Sequence, residues 1–241
     1  LTDVTGVQTC ALPIFDFPYN RPRPADDEIP KLFATMMGLP LYGMNVIHTG
    51  GNYMCDGHGV GSSTDLVYVE NPSQTSAQVD DKMNRYLGIT NHQVVPDPNI
   101  SSTIDHIDCW AKFLAPDKIL IRKTLPADPE YTALESAASY WASQTSSYGY
   151  PYRVFRVMTP SDQPYSNSVI LNNKVLVPFM NSVWDDSAKA VYEAAMPGYE
   201  VIGFIGNPST PWMSTDALHC RVIGVADPGL LRITHIPLSG D

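Results

Sequence analysis

Ser102-Thr-Ile-Asp-His-Ile-Asp-Cys-Trp110 is the segment from which the rest of the chain is most easily read. Its β-branched residues predict a strand over Ile104–Trp110, with side chains alternating between two faces. That alternation puts His106 and Asp108 on one face with Ile104, and turns Asp105, Ile107 and Cys109 to the other. An imidazole beside a carboxylate on one rigid surface can move protons and hold a cation. On its own the pair also fits a strand whose His and Asp only hydrogen-bond each other, so its meaning depends on what the chain brings to it.

Working outward, short strands and helices alternate. On the N-terminal side, Lys31–Gly38 reads as a short helix stopped by Gly38 and Pro40, and Met44–His48 as a short buried strand. Thr49–Gly59 (TGGNYMCDGHG) is a glycine-rich turn with one acid at its centre, followed by a β-type run, Leu66–Glu70. A helix is predicted over Gln74–Leu87, closed by Gly88, and a strand over His92–Pro96. On the C-terminal side, Phe113–Ala115 and Lys118–Lys123 are β segments around a Pro116-Asp117 turn. Asp128–Gln144 is the longest helix, with Pro129 in its first turn, and Tyr152–Met158 is a strand. Ser168–Leu171 and Lys174–Pro178 form a hairpin across Asn172-Asn173, read as a type I′ turn. A helix over Trp184–Met196 and strands over Glu200–Ile205 and Ala217–Val225 complete the series. The rhythm is a few strands around one helix, repeated without sequence identity.

The bulk numbers fit one well-filled core: 241 residues, 44% hydrophobic and 17% charged. A net charge of −10 argues against nucleic acid and anionic membranes as partners and favours a cationic ligand. Apolar runs fall well short of the roughly 20 residues of a membrane span. Cys10, Cys55, Cys109 and Cys220 show neither metal-site spacing nor C-x-x-C. The segment Val4–Ile14 resembles the conceptual translation of a sequencing-library adapter. Residues 1–14 are therefore set aside, and 15–241 is read as a single domain.

Three points can carry chemistry: Asp56 among Gly50, Gly51, Gly57, Gly59 and Gly61; His106 with Asp108; and Cys220 in Asp216-Ala-Leu-His-Cys-Arg221. Glycine density lets backbone approach a ligand closely around an acid. A thiol on an apolar strand is ordinarily structural, and becomes a nucleophile beside a His or a bound cation. Strand alternation turns Cys55, Cys109 and His219 away from such a site. It leaves the two cysteines as core and His219 a minor outer partner. His48, His58, His92 and His235 have no partner in sequence, and His58 alone among them sits in the glycine-rich loop. Trp110, Trp184 and Trp212 read as core.

Taken together, GGNYMCDG, DHIDCW with KFL, YSNS before the hairpin, and DALHCR resemble the Porphyromonas-type peptidylarginine deiminases. These belong to the guanidine-modifying, or pentein, superfamily, beside the agmatine deiminases. The resemblance runs from about Tyr19 to Pro237. It implies an α/β propeller of five pseudo-symmetric ββαβ blades with a central active site, the first blade truncated here. It also implies Asp56, His106, Asp108 and Cys220 as catalytic residues and Asn167 near the cysteine in substrate binding. Cys220 would be the nucleophile and His106 the acid and base. Asp56 and Asp108 would bind the guanidinium in paired, charge-assisted fashion. No cofactor or metal is implied, and no calcium-binding EF-hand loop is present. The family's secreted habit implies export.

The substrate expected from the resemblance is arginine within peptides or proteins, because Asn20-Arg-Pro-Arg-Pro24 and His219-Cys220-Arg221 look like that branch. Agmatine is second. Two other classes are consistent with the sequence. One is an inactive module that binds arginine-bearing peptides. The other is a Cys-His-Asp hydrolase of acyl substrates, which would need an oxyanion hole in place of ligand-facing acids.

Overall fold

The structure, a computed structural model, describes residues 14–98 and 104–222. The segment set aside as adapter-derived lies, but for Ile14, outside the described residues, as do His235 and the end of the last predicted strand. Cα packing separates the chain into two compact units, one including residues 14–45 and the other Val46–Val222.

In the first unit, β1 (Ile14–Asp16) pairs in parallel with β2 (Leu41–Gly43). Between them lie a one-turn helix, α1 (Pro24–Asp27), and α2 (Ile29–Met37). Each helix carries Pro in its first turn, where the missing N–H costs nothing. Gly38, at φ 64°, ends α2 in the left-handed conformation a glycine adopts without strain.

The second unit repeats one motif three times: an antiparallel hairpin, a helix, and a strand returning parallel to the second hairpin strand. The first sheet is β3 (Met54–Cys55), β4 (Val60–Thr64) and β5 (Asn91–Val95), in that order. The one-turn helix α3 (Leu66–Val69) and α4 (Ser76–Leu87) cross between β4 and β5. The second sheet is β6 (Ala111–Ala115), β7 (Lys118–Lys123) and β8 (Arg153–Met158), with α5 (Tyr131–Ser143) as crossover. The third is β9 (Val169–Leu171), β10 (Lys174–Phe179) and β11 (Glu200–Ile205), crossed by α6 (Asp185–Ala195). The central strands β4, β7 and β10 each pair on both sides. Accordingly β4 is buried throughout, and Ile119, Leu120 and Ile121 of β7 are fully covered.

Two apolar clusters hold the repeats. Trp110, Phe113, Trp141 and Tyr152 centre the one between β6–β7 and α5, with Phe113 stacked on Tyr152 at 5.7 Å. Val175, Val177, Tyr165 and Tyr192 centre the other, beneath α6. Helix α4 starts at a reciprocal cap, Thr75 Oγ1 accepting from the Gln78 amide while Gln78 accepts from the Thr75 amide. Arg122 is buried on β7, its Nε donating to Thr159 at 2.9 Å and its Nη2 to Asp162 at 2.6 Å, with Glu130 at 3.5 Å.

The expected α/β repetition is thus present, and most elements lie within a few residues of their predicted places. Four differ. Leu66–Val69 is a helical turn although its residues favour strands; its backbone bonds run from Tyr68 to Asp65 and from Glu70 to Leu66, and the buried Asn71 side chain donates to the Val67 carbonyl. In Met44–His48 the alternate residues Met44, Val46 and His48 are buried, but the segment forms no strand. At the β9–β10 turn only Asn172 has positive φ, 54°, where a type I′ turn needs two such residues. The fourth difference, at Ile104–Trp110, shapes the candidate site. Among the described residues no helix is long and apolar enough to cross a membrane.

Candidate active site

The segment read as a strand is a turn. Asp105 takes φ 50°, and Ile107–Cys109 form a single 3-10 turn before β6 begins at Ala111. Asn52 fixes the bend: its Oδ1 accepts from the amides of Ile107 at 3.2 Å and Thr64 at 2.9 Å. Thr64 Oγ1 in turn donates to the Asp105 carbonyl. Two buried polar side chains therefore do what a ladder of strand hydrogen bonds would have done.

His106 and Asp108 still converge, but by the turn and not by alternation. A methyl-sized point above the Gly51 Cα lies 2.7 Å from His106 Nδ1 and 3.1 Å from Asp108 Oδ2. Residue 51 must be glycine for both groups to occupy that space. The other imidazole nitrogen, Nε2, meets Thr49 Oγ1 at 2.9 Å, and both His106 and Thr49 are buried. Ser166 donates to the Asp108 carbonyl at 3.1 Å, tying the turn to the start of the third repeat.

Cys220 arrives from the far end of the chain. Its segment, predicted as a strand, is a 3-10 turn, His219–Arg221. The turn hangs on Asn167, a fully buried side chain. Asn167 Oδ1 accepts from the amides of His219 at 2.8 Å and Cys220 at 3.2 Å, and Nδ2 donates to the Cys220 sulfur at 3.1 Å. The thiol lies 3.4 Å from Asp108 Oδ2. The residue as a whole is exposed, while its sulfur meets Asn167, Asp108 and, at 3.9 Å, the Thr215 carbonyl. Burial of the sulfur, and next the Asp108 charge, push the thiol up to about 12; the Ala217 backbone and then the Asn167 amide pull the other way.

His106, Asp108, Asn167 and Cys220 are therefore brought together. Asp56 is engaged elsewhere. Its Oδ1 accepts from the amides of His58 at 2.8 Å and Val60 at 3.0 Å, and its Oδ2 from the Ser147 hydroxyl. Both oxygens of Asp56 thus serve a turn, a role for which Asp is favoured, where the resemblance implies a ligand-facing acid. His219 lies closer to the cluster than strand alternation predicts. In a 3-10 turn it does not face away from its neighbour, and its Nδ1 lies 2.8 Å from Asp108 Oδ2. Cys109 is core, as expected, whereas Cys55 is exposed. Trp110 is core; Trp212 instead lies under the Arg221 guanidinium, 4.9 Å from its ring centre.

Two residues near the cluster escaped the sequence reading. Thr49 precedes the glycines that were noticed, and only its contact with His106 reveals it. Lys112, on β6, is half-buried, and desolvation pushes its ammonium down to about 8, opposed by the charges of Asp108 and Cys55. Its position two residues beyond Trp110 was the available signal.

Residues 7–221 match the sequence model of the Porphyromonas-type peptidyl-arginine deiminase family. The chain belongs to that family. Among curated proteins it is similar to the agmatine deiminase of Medicago truncatula, 24% identical over 229 residues that cover 81% of this chain and 61% of the plant protein. Among solved structures it superposes on the agmatine deiminase of Enterococcus faecalis with a TM-score of 0.72 and 19% identity, covering 78% of this chain and 63% of that one. The "Putative Arginine Deiminase from Porphyromonas gingivalis" gives a TM-score of 0.75 at 23% identity, covering 86% and 68%. These structural likenesses show a shared α/β fold. The chain spans less than two thirds of the length of the first curated relatives it matches.

Proposed function

We propose that this member of the deiminase family hydrolyses the C–N bond of a guanidine, releasing ammonia and leaving a ureido product. The observation that carries the proposal is the meeting of the Cys220 thiol, the Asp108 carboxylate and the His106 imidazole around Gly51 and Asn167. Its repeats are read as blades of the five-bladed pentein propeller expected from the resemblance.

Asp108 accepts hydrogen bonds from the cationic guanidinium, taking over from the His219 N–H and the Cys220 S–H that now meet its Oδ2. A cation at Asp108 cancels the charge that holds the thiol proton, so that proton passes to the His106 imidazole and the thiolate forms where the substrate is bound. The sulfur attacks the guanidinium carbon to give a tetrahedral adduct. His106 delivers a proton to the departing nitrogen, which leaves as ammonia, and an S-alkylthiouronium remains on Cys220. His106 then takes a proton from water as its oxygen attacks the same carbon. The C–S bond breaks, the thiol is restored, and guanidinium plus water has become ureido product plus ammonium.

Sequence reasoning ranked arginine in peptides ahead of agmatine. The curated relatives are agmatine deiminases by name, so agmatine is the better supported substrate, and peptidyl-arginine follows from the family's description. The test is incubation with agmatine and with an internal-arginine peptide, reading ureido product and ammonia with Cys220→Ala as control. Product from agmatine alone, lost in the variant, supports the first reading; citrulline from the peptide alone moves the chain to the second. No product from either substrate, with Cys220 inert to amidine reagents, overturns the deiminase reading in favour of a binding module.

A further inference from the structure

A continuous row of polar side chains, separate from the cluster around Cys220, runs from the surface of α4 to the residue next to Thr49. Asp80, on α4, has a side chain 39% exposed, and its Oδ1 lies 2.7 Å from His92 Nδ1 on β5. Tyr68, on α3, donates to the same oxygen at 2.9 Å and meets the His92 ring edge-on. His92 Nε2 lies 3.2 Å from Ser63 Oγ on β4, and Ser63 Oγ lies 3.4 Å from His48 Nε2. Ser63 and His48 are buried, and the His92 side chain is 2% exposed. His48 is bonded to Thr49, whose hydroxyl meets His106.

The chemistry of the groups fixes the direction of the protons. A carboxylate only accepts, so His92 donates from Nδ1 and, when neutral, accepts at Nε2 from the Ser63 hydroxyl. The Ser63 oxygen can then accept from His48 Nε2–H. If His92 gains a proton at Nε2, that N–H donates to Ser63. The Ser63 hydroxyl must turn to donate to His48 Nε2, and His48 must carry its proton on Nδ1. The row gains one proton in total and has two self-consistent orders, differing in the tautomer of His48. Buried rows of this kind stiffen what they touch, because an unmatched member is costly.

We propose that the row Asp80–His92–Ser63–His48 positions Thr49 against His106, so that a proton gained at His92 is sensed at His106. The members are positioning residues; the acid–base role of His106 itself rests on the function proposed above. Among the described residues, the charged and titratable groups facing His92 include Asp80, Tyr68 and His48, and those facing His48 include His92, His106 and Tyr53. Burial lowers the His92 imidazole below its ordinary range, with Asp80 opposing, so the neutral order is the working one near neutral pH.

The test is a pH titration of the protein labelled with 15N at its histidines, following both ring nitrogens of each. In the unaltered chain the His48 tautomer and the His106 shifts should change with the midpoint of His92, below about 6.5. In Ser63→Ala, which removes only the linking oxygen, His92 should still titrate while the matching inflection at His106 disappears. In Asp80→Asn, a change at the surface, the His92 midpoint should fall and the His106 inflection should fall with it. An inflection at His106 that persists in Ser63→Ala, or that fails to follow His92 in Asp80→Asn, overturns the proposal. Should Ser63→Ala not fold, the Asp80→Asn titration and the His48 tautomer decide it. These spectra do not depend on turnover, so this inference and the deiminase reading fail separately.

Discussion

Asn167 holds Cys220 at both ends, its Oδ1 accepting the Cys220 amide at 3.2 Å while its Nδ2 donates to the Cys220 sulfur at 3.1 Å. A single buried side chain thus sets the path of the 3-10 turn and the direction in which the thiol points. Asn167→Ala removes three side-chain hydrogen bonds, though the His219 amide keeps the Asn167 backbone carbonyl at 3.1 Å, and a typical hydrogen bond contributes about 0.5–1.5 kcal/mol. The expected outcome is a loss of guanidine turnover of at least about a hundredfold with the core strands intact, checked by steady-state kinetics beside far-UV circular dichroism. Asn167→Asp should be as damaging for another reason, since a second carboxylate beside the sulfur opposes the thiolate.

The Cys220 thiol, pushed up to about 12, should be a slow nucleophile at neutral pH in the unliganded protein. Its alkylation by iodoacetamide, followed by mass spectrometry at that peptide, should accelerate with pH and show no plateau between pH 7 and 10. Guanidinium ion should raise the rate at pH 7 by supplying the missing positive charge. A plateau near pH 8.5 without guanidinium would count against this account.

Gly51 has no space for a side chain. Alanine there would set its Cβ 2.7 Å from His106 Nδ1 and 3.1 Å from Asp108 Oδ2, so both groups must move. Displacement of reacting groups by about 1 Å can cost on the order of a hundredfold in rate. Gly51→Ala is expected to lose that much in kcat while its urea midpoint changes little. A variant with unchanged kcat would remove His106 or Asp108 from the chemistry.

Arg122 is a stability residue. Replacing it with Met leaves Glu130, which is buried, facing no cation from that side chain, and removes the bonds to Thr159 and Asp162. Breaking a buried charge network in this way costs about 3–5 kcal/mol. Urea unfolding of Arg122→Met should show a loss of that size at unchanged slope.

His48 governs part of the acid response. Burial first, then the His92 and His106 charges, push its imidazole down to about 3. The unfolded chain takes up that proton near pH 6.5 and the folded chain does not, so the stability due to neutral His48 is complete above about 6.5 and falls as the pH drops toward 3. His48→Gln should flatten the fall in urea midpoint across that window, though the variant begins from a lower value.

Much of this was legible in the sequence, and the exceptions share a cause. Val175 and Val177, or Ile119 and Ile121, announce strands because apolar residues fill both faces of a central β position, a property of the local sequence. Asp56, His106, Asp108 and Cys220, with Asn167 beside the cysteine, are the set the resemblance implies, and the structure brings all but Asp56 together. Their geometry was misjudged because the turn at Asp105 is imposed by Asn52 and Thr64, more than forty residues earlier. The same holds for His219, whose direction is set by Asn167 and Asp108 and not by its neighbours. At Asp56 the sequence does not separate two roles, because a glycine-rich loop around an acid looks alike whether the acid meets a ligand or its own backbone amides.

The bond between Cys220 and Asp108 closes a loop of 112 residues, and the one to Asn167 a loop of 53. Contacts so distant along the chain bear a large closure entropy and belong to the late stages of folding. Each three-stranded sheet can gather from nearby residues while the sulfur still has neither partner. A chain emerging during synthesis therefore carries this thiol unassembled until its C-terminal turn is made, and chemical competence marks the completion of all three repeats.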